Sequence, residues 1–314
     1  GFFIMRGEMD LVDLVTFSLY ISTFLTPVRK LAAFVEQFLN GMAGFKRFVE
    51  LMRVEPEVKD APDAQVMGTA KGDIRIEDVS FAYNNGEPVL DHISIHIPQG
   101  ETVAVVGPSG GGKSTLCQLI PRFYDVTGGQ VLLDGVDVRD YPLEELRARI
   151  GMVLQNNTLF SGSITENLKW GDEHADEKAV RKAAQNAQAA GFIDSFKDGY
   201  RTRLEQSGNN VSGGQKQRLC IARALLKCPK ILILDDSTSA VDTATERAIR
   251  EALHSEYKDM TKIIIAQRIR SVMDADEILV LDNGKTAGFG THEQLLADCP
   301  VYREIYDVQN GREE

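Results

Sequence analysis

The stretch Thr102-Val103-Ala104-Val105-Val106-Gly107-Pro108-Ser109-Gly110-Gly111-Gly112-Lys113-Ser114 leaves this chain few folds to choose from. Its first five residues are largely β-branched and show no polar alternation, the pattern of a parallel strand buried on both faces. A helical pattern begins at Lys113. A strand buried on both faces needs neighbours reached by crossover connections, so the expected core is an α/β sheet. The turn between strand and helix, Gly107 to Ser114, fits G-x-x-x-x-G-K-[ST]. Glycines let backbone N–H groups close around phosphate oxygens without Cβ clashes, and the following helix start adds partial positive charge. Gly107, Pro108, Ser109, Gly110, Gly111 and Gly112 form the candidate cradle, with Thr115 counted beside them. Lys113 can reach β- and γ-phosphates, and the Ser114 hydroxyl can ligate Mg²⁺.

Other runs agree with that sheet. Ile231 to Leu234, Lys262 to Ala266 and Glu277 to Leu281 read as further buried parallel strands, separated by helical patterns such as Gln215 to Leu226 and Ala244 to Leu253. Upstream, Ile74, Ile76 and Val79, and then Ile93, Ile95 and Ile97, alternate with polar residues as in half-buried antiparallel strands. The sum is an antiparallel patch feeding a parallel sheet. Asp235-Asp236 closes the apolar strand Ile231 to Leu234. A carboxylate at the carboxyl end of a strand beside a phosphate loop is where Mg²⁺ is held, and Asp235 is the candidate.

The amino-terminal part is different. Leu14 to Val28 contains no charged side chain, a run shorter than the roughly 20 residues that span a bilayer. Admitting Asp13 lengthens it, and the helical pattern continues past Arg29-Lys30 through Phe38, Phe45 and Phe48 to Leu51. Unbroken from Leu11 to Leu51, such a helix would be on the order of 60 Å long, about twice a hydrocarbon core. Pro27 is the one place where a kink is expected. Two readings compete: a buried amphipathic helix of a soluble domain, or a last transmembrane helix running on as a cytoplasmic stalk. On the second, Phe2 to Met5 ends a preceding span within a longer polypeptide, and Arg29-Lys30 mark the cytoplasmic side. Val54 to Gly72, with Pro56, Pro62 and Gly68, reads as a linker. The expected domains are therefore 1–53, a linker at 54–71, and 72–314. A formal net charge of -11 argues against nucleic acid as a partner. Cys117, Cys220, Cys228 and Cys299 lack metal-ligand spacing and read as reduced thiols.

Val211-Ser212-Gly213-Gly214-Gln215-Lys216-Gln217-Arg218 resembles the signature of the ATP-binding cassette (ABC) superfamily. As in that family, Ile221-Ala222-Arg223-Ala224-Leu225 and then the acidic strand follow it. Physically, Ser212 and the N–H groups of Gly213, Gly214 and Gln215 make an anion site at a helix start. Two such starts in one chain suggest that they meet across a dimer, and in this family one subunit's signature closes on ATP held by the other. The resemblance covers roughly residues 72–310. It implies a P-loop (RecA-like) parallel-sheet core, an antiparallel β subdomain, and a helical subdomain at about 156–218, preceded by a long transmembrane or stalk helix. Further residues take roles by position. Tyr83 matches the aromatic that stacks on adenine. Gln155 matches the glutamine that touches Mg²⁺ and the attacking water and links to the membrane part. Ser239-Ala240-Val241-Asp242 matches the loop crossing the dimer interface. Thr158 to Ile164 and Glu166-Asn167 are similar to ABC exporters. Implied ligands are ATP and Mg²⁺. Implied partners are a transmembrane domain, a second half-transporter and the lipid bilayer, which places the protein in the cell membrane with its nucleotide-binding domain in the cytoplasm.

Three positions depart from the family pattern. Val211 stands where Leu is usual, a mild change. Asp236 stands where the family has Glu as general base or water-orienter, one methylene shorter, and a misplacement of about an ångström can cost on the order of a hundredfold in rate. Gln267 stands where the family has His against the γ-phosphate, and an amide can donate a hydrogen bond but carries no charge. The pair resembles the degenerate half of heterodimeric bacterial exporters, often multidrug exporters. The expectation is a chain that binds ATP, hydrolyses it slowly, and lends Ser212 to Gln215 to a competent partner site. The alternatives are a homodimer whose Asp236 suffices, a soluble ABC ATPase, and a non-hydrolysing regulatory module.

Overall fold

The computed structural model describes residues 2–236 and 240–311, apart from the Asn85 side chain. The chain divides into two compact units between Glu57 and Val58.

The first unit is helical. A short helix α1 (Phe2–Met5) is followed by α2 (Leu11–Met52), 42 residues long. Asp10 starts α2 with a capping box. Its Oδ1 accepts from the Asp13 N–H at 2.7 Å, and Asp13 Oδ2 accepts from the Asp10 N–H at 3.1 Å. That satisfies two donors otherwise orphaned at a helix start. Pro27 sits inside α2 without ending it. No residue of α2 is buried, and its most apolar 18-residue window has a mean hydropathy of 1.5. The soluble-core reading of this segment needs burial, and α2 offers none within this chain.

The second unit opens with a segment read as linker from sequence, yet part of it is fastened down. The Lys59 carbonyl accepts from Arg122 Nη2 at 3.0 Å, the Gln65 N–H donates to the Asp140 carbonyl at 2.7 Å, and Met67 is buried. Then come β1 (Ile74–Phe81), β2 (Leu90–Ile97), β3 (Thr102–Val106), the helix α3 (Lys113–Leu119), β4 (Gly128–Leu133), β5 (Val136–Asp137), the helix α4 (Leu143–Ala148) and β6 (Ile150–Val153). Strands β1, β2, β4 and β5 form an antiparallel sheet in the order β2-β1-β4-β5. Its alternation is the one read from sequence: Ile74, Ile76, Val79, Ile93, Ile95 and Ile97 are all buried.

A helical stretch intervenes: a two-residue β7 (Gly162–Ser163), α5 (Ile164–Lys169), α6 (Glu177–Asn186), α7 (Ala190–Ser195), β8 (Arg203–Leu204) and α8 (Gly213–Leu226). Leu159, Ile164, Leu168, Val180, Ile193, Leu219 and Ile221 are buried in a core it shares with Leu232 and Leu234 of the main sheet, each contributing roughly 1.5–3 kcal/mol by burial. The chain then completes the main sheet with β9 (Ile231–Asp235), α9 (Thr243–Glu256), β10 (Thr261–Ile265), β11 (Glu277–Asp282) and β12 (Lys285–Gly290), and ends in α10 (His292–Asp298) and α11 (Pro300–Gln309). The main sheet has the order β12-β11-β3-β10-β9-β6, parallel throughout except for the β11–β12 hairpin. The carboxyl ends of β3, β6, β9 and β10 thus lie on one edge, where open parallel sheets bind ligands.

Candidate functional site

The loop leaving β3 is shaped by its glycines. Gly107 (φ 145°), Gly110 (φ 79°) and Gly112 (φ 91°) all have backbone that side chains disfavour. Space matters at two of them. A Cβ on Gly107 would lie 2.0 Å from the Leu281 carbonyl oxygen, and one on Gly112 would lie 2.7 Å from Leu90 Cδ2 and 2.9 Å from the Val89 carbonyl oxygen. Gly110 has open space around it. The Lys113 ammonium curls back and donates to the Gly107 and Pro108 carbonyls at 2.9 and 2.7 Å. Burial lowers its pKa, opposed by the nearby Asp235 and Asp236. Its present acceptors are neutral carbonyls. An anion would compete with them, since it adds opposite-charge attraction to the hydrogen bond.

Across the cleft, Ser114 Oγ donates to Asp235 Oδ1 at 3.1 Å. Asp235 and Asp236 are both buried. Burial pushes the Asp235 carboxyl upward, offset by Ser114 and Lys113. Burial also raises the Asp236 carboxyl, with the Asp235 charge adding to it and the Gln155 amide opposing. Asp236 itself sits in left-handed backbone (φ 46°), its N–H donating to the Ile265 carbonyl at 3.0 Å. Two amides converge on its Oδ2: Gln267 Nε2 at 2.7 Å and Gln155 Nε2 at 3.4 Å. Gly107 through Thr115, Gln155, Asp235, Asp236 and Gln267 line one cleft of about 500 Å³. Tyr83 stands behind it. Its hydroxyl is 3.0 Å from Thr115 Oγ1, and its ring meets Phe81 and Tyr124 edge-on at 4.8 and 5.1 Å.

Residues 90–239 match the ABC transporter family. The chain is 41% identical over 310 residues to the ABC transporter ATP-binding protein YwjA of Bacillus subtilis, covering 99% of this chain and 54% of that protein. It is 42% identical over 289 residues to an ATP-dependent lipid A-core flippase of Vibrio parahaemolyticus, covering 91% and 49%. The solved structure of a bacterial Atm1-family ABC exporter with ATP bound superposes with a TM-score of 0.84 at 35% identity, over 96% of this chain and 53% of that one. The chain carries an ABC transporter nucleotide-binding domain. It joins that domain to one long amino-terminal helix, α2, and it spans about half the length of these relatives.

The ABC signature lies apart from the cleft: none of Ser212, Gly213, Gly214 and Gln215 lines it. They begin α8 with a capping box, the Gln215 N–H donating to Ser212 Oγ at 3.3 Å and the Ser212 N–H to Gln215 Oε1 at 2.9 Å. A Cβ on Gly214 would lie 2.8 Å from the Ala240 carbonyl oxygen, and Gln217 Oε1 accepts from the Ala240 N–H at 3.0 Å. The signature is thus packed on the segment that resembles the interface loop. Ser239, the first residue of that segment, lies outside the described residues.

Two groups escaped the sequence reading. Ile305 and Gln309 of α11 line the nucleotide cleft, although nothing in their local sequence marks them. Phe160 and Trp170 stack at 4.7 Å between ring centroids, and Trp170 is 67% exposed. They line a groove of about 350 Å³ with Leu154, Asn156 and Asn157, which flank Gln155. Trp170 is the chain's single tryptophan, but its exposure is a tertiary fact that no local sequence pattern announces.

Proposed function

We propose that this chain is the ATP-binding part of a membrane exporter, that its own site holds Mg-ATP and turns it over slowly, and that Ser212 to Gln215 complete a faster site on a second half-transporter. The carrying observation is the Asp236 cluster: a short carboxylate whose Oδ2 already accepts from the Gln267 and Gln155 amides, at positions where the resemblance leads one to expect Glu and His.

Mg²⁺ and the triphosphate fit the residues at hand. Ser114 and Asp235 offer two hard oxygen donors side by side, the chemistry Mg²⁺ takes together with phosphate oxygens. Among the described residues no group of three or more His, Cys, Asp or Glu could hold a metal alone, as suits an ion that arrives with its nucleotide. Bound there, Mg²⁺ would supply charge neutralisation for phosphoryl transfer. The chain's own groups do the rest. The Gly107–Gly112 backbone and Lys113 grip phosphates, and Tyr83 offers its ring to the base. The Asp236 carboxylate is the candidate acceptor of a water proton, and the Gln267 amide is a neutral donor where a cation would better stabilise leaving charge.

Closure of two such domains on ATP, passed through Gln155 to membrane helices, is the proposed coupling. The groove at Leu154, Phe160 and Trp170 supports a docking place for those helices. The apolar α2 supports a membrane location, and the lipid-directed flippase among the relatives supports amphipathic cargo. Changing Asp236→Glu together with Gln267→His should raise ATP turnover of the assembled exporter by about tenfold or more. Unchanged turnover would sink the slow-site reading. Brisk ATPase from this chain as a homodimer, abolished by Asp236→Asn alone, would replace it with a homodimeric exporter.

A further inference from the structure

Helix α11 presents Tyr302, Ile305, Tyr306 and Gln309 at i, i+3, i+4 and i+7, one stripe of a helix surface. Tyr302 is fully buried in the core cluster that includes Val106 of β3 and Ile278 and Val280 of β11, with His292 Nδ1 2.7 Å from its hydroxyl. Ile305, one turn on, reaches the wall of the nucleotide cleft. Gln309, two turns on, makes a two-sided contact: its Nε2 donates to the Gln267 carbonyl at 2.7 Å, and its Oε1 accepts from the Ile269 N–H at 2.8 Å. One side-chain amide therefore bridges both ends of the turn 267–269. Asn310 adds a second tie, accepting from Arg270 Nε at 2.7 Å. The Gln267 side chain, carried on that turn, is the donor at 2.7 Å to Asp236 Oδ2.

We propose that Gln309 is a positioning residue for the γ-phosphate end of the cleft. It transmits the fixed position of Tyr302 in the core to the turn that aims Gln267 at Asp236. Helix α11 is thereby a working wall of the nucleotide site. Glutamine suits the task because its end group carries one donor face and one acceptor face. A glutamate of the same length keeps the bond from Ile269 but sets a carboxylate against the Gln267 carbonyl, and alanine leaves both backbone groups unpaired. The residue acts on Gln267 and touches no phosphate itself.

This inference rests on the nucleotide reading of the cleft, so the test separates the two. In the complete, membrane-embedded protein, amide exchange of residues 266–271 is measured along with affinities for ADP and for a non-hydrolysable ATP analogue, both with Mg²⁺. Gln309→Ala should speed exchange in that turn about tenfold, the scale of one lost hydrogen bond. It should also weaken the ATP analogue about fivefold and leave ADP, which has no γ-phosphate, unchanged. Gln309→Glu should weaken the ATP analogue in the same direction while leaving the Ile269 amide protected, because its carboxylate still accepts that N–H. A general loss of fold would weaken ADP and the analogue equally, and that result overturns the proposal, as does unchanged exchange or an unchanged analogue affinity. Lys113→Ala is the control. If it fails to weaken either nucleotide, the nucleotide reading of the cleft fails. If it weakens both while Gln309→Ala does nothing, only the role of α11 fails.

Discussion

At one end of the nucleotide cleft the shape is set by backbone; at the other it is set by side chains. The loop end is fixed by Gly107 and Gly112, where even one added carbon meets Leu281, Val89 or Leu90. The Asp236 end is an arrangement of three side-chain tips, Asp236, Gln155 and Gln267. Shape enforced by backbone tolerates almost no substitution. Side-chain tips can be exchanged for shorter or uncharged ones with the fold intact. On the proposed reading, binding and hydrolysis would then be separable in this domain, the loop end keeping its grip while the carboxylate end carries Asp236 and Gln267.

The largest expected effect breaks the loop end. Gly107→Ala places a Cβ into a backbone carbonyl at 2.0 Å, so the loop must move, a cost of about 3 kcal/mol or more that falls on phosphate contacts. Calorimetry should show nucleotide affinity reduced more than about a hundredfold. Gly110→Ala, where only the backbone angle objects, costs about 1 kcal/mol and should weaken binding no more than about fivefold. Equal effects at the two positions would mean that the loop's shape is not what grips the ligand. Next in size is Lys113→Ala. It removes a charged donor, worth about 1.5–3 kcal/mol per bond, and should weaken ADP by about ten- to a hundredfold while the melting temperature barely changes.

Much of this contrast could be read from the chain before any coordinates. The loop, Asp235 and the α8 signature announce themselves because each is a local pattern: a strand, a special turn and a helix start within a dozen residues. The strands β1, β2, β3, β9, β10 and β11 showed in their periodicity or apolar runs. What stayed hidden is tertiary. β12, Lys285–Gly290, holds two glycines and no apolar alternation, and it is a strand only because β11 pairs with it. Residues 59–71 looked like linker because their partners, Arg122, Asp140 and Glu145, are far along the chain. Gln309 is one polar residue at a helix end, and only folding brings it to Gln267.

The smallest predicted effect sharpens the comparison from the carboxylate end. Asp236 is a buried carboxylate beside a second one, and both effects raise its pKa. A carboxylate whose folded pKa exceeds its unfolded value takes up protons on folding, so it costs stability once pH rises above that folded value. Asp236→Asn removes this cost at neutral pH. It also keeps an oxygen for the Gln267 amide and places in the left-handed backbone a residue type that tolerates it. The nucleotide-free protein should therefore melt at a higher temperature near neutral pH, while losing what hydrolysis this site performs. The sign carries a pH signature. The gain should be full near pH 7 and shrink as pH falls through the raised Asp236 pKa, below which wild-type Asp236 is neutral as well. A melting temperature that drops at neutral pH would show that the Asp236 charge is held by favourable contacts, and the carboxylate end would then be as tightly built as the loop.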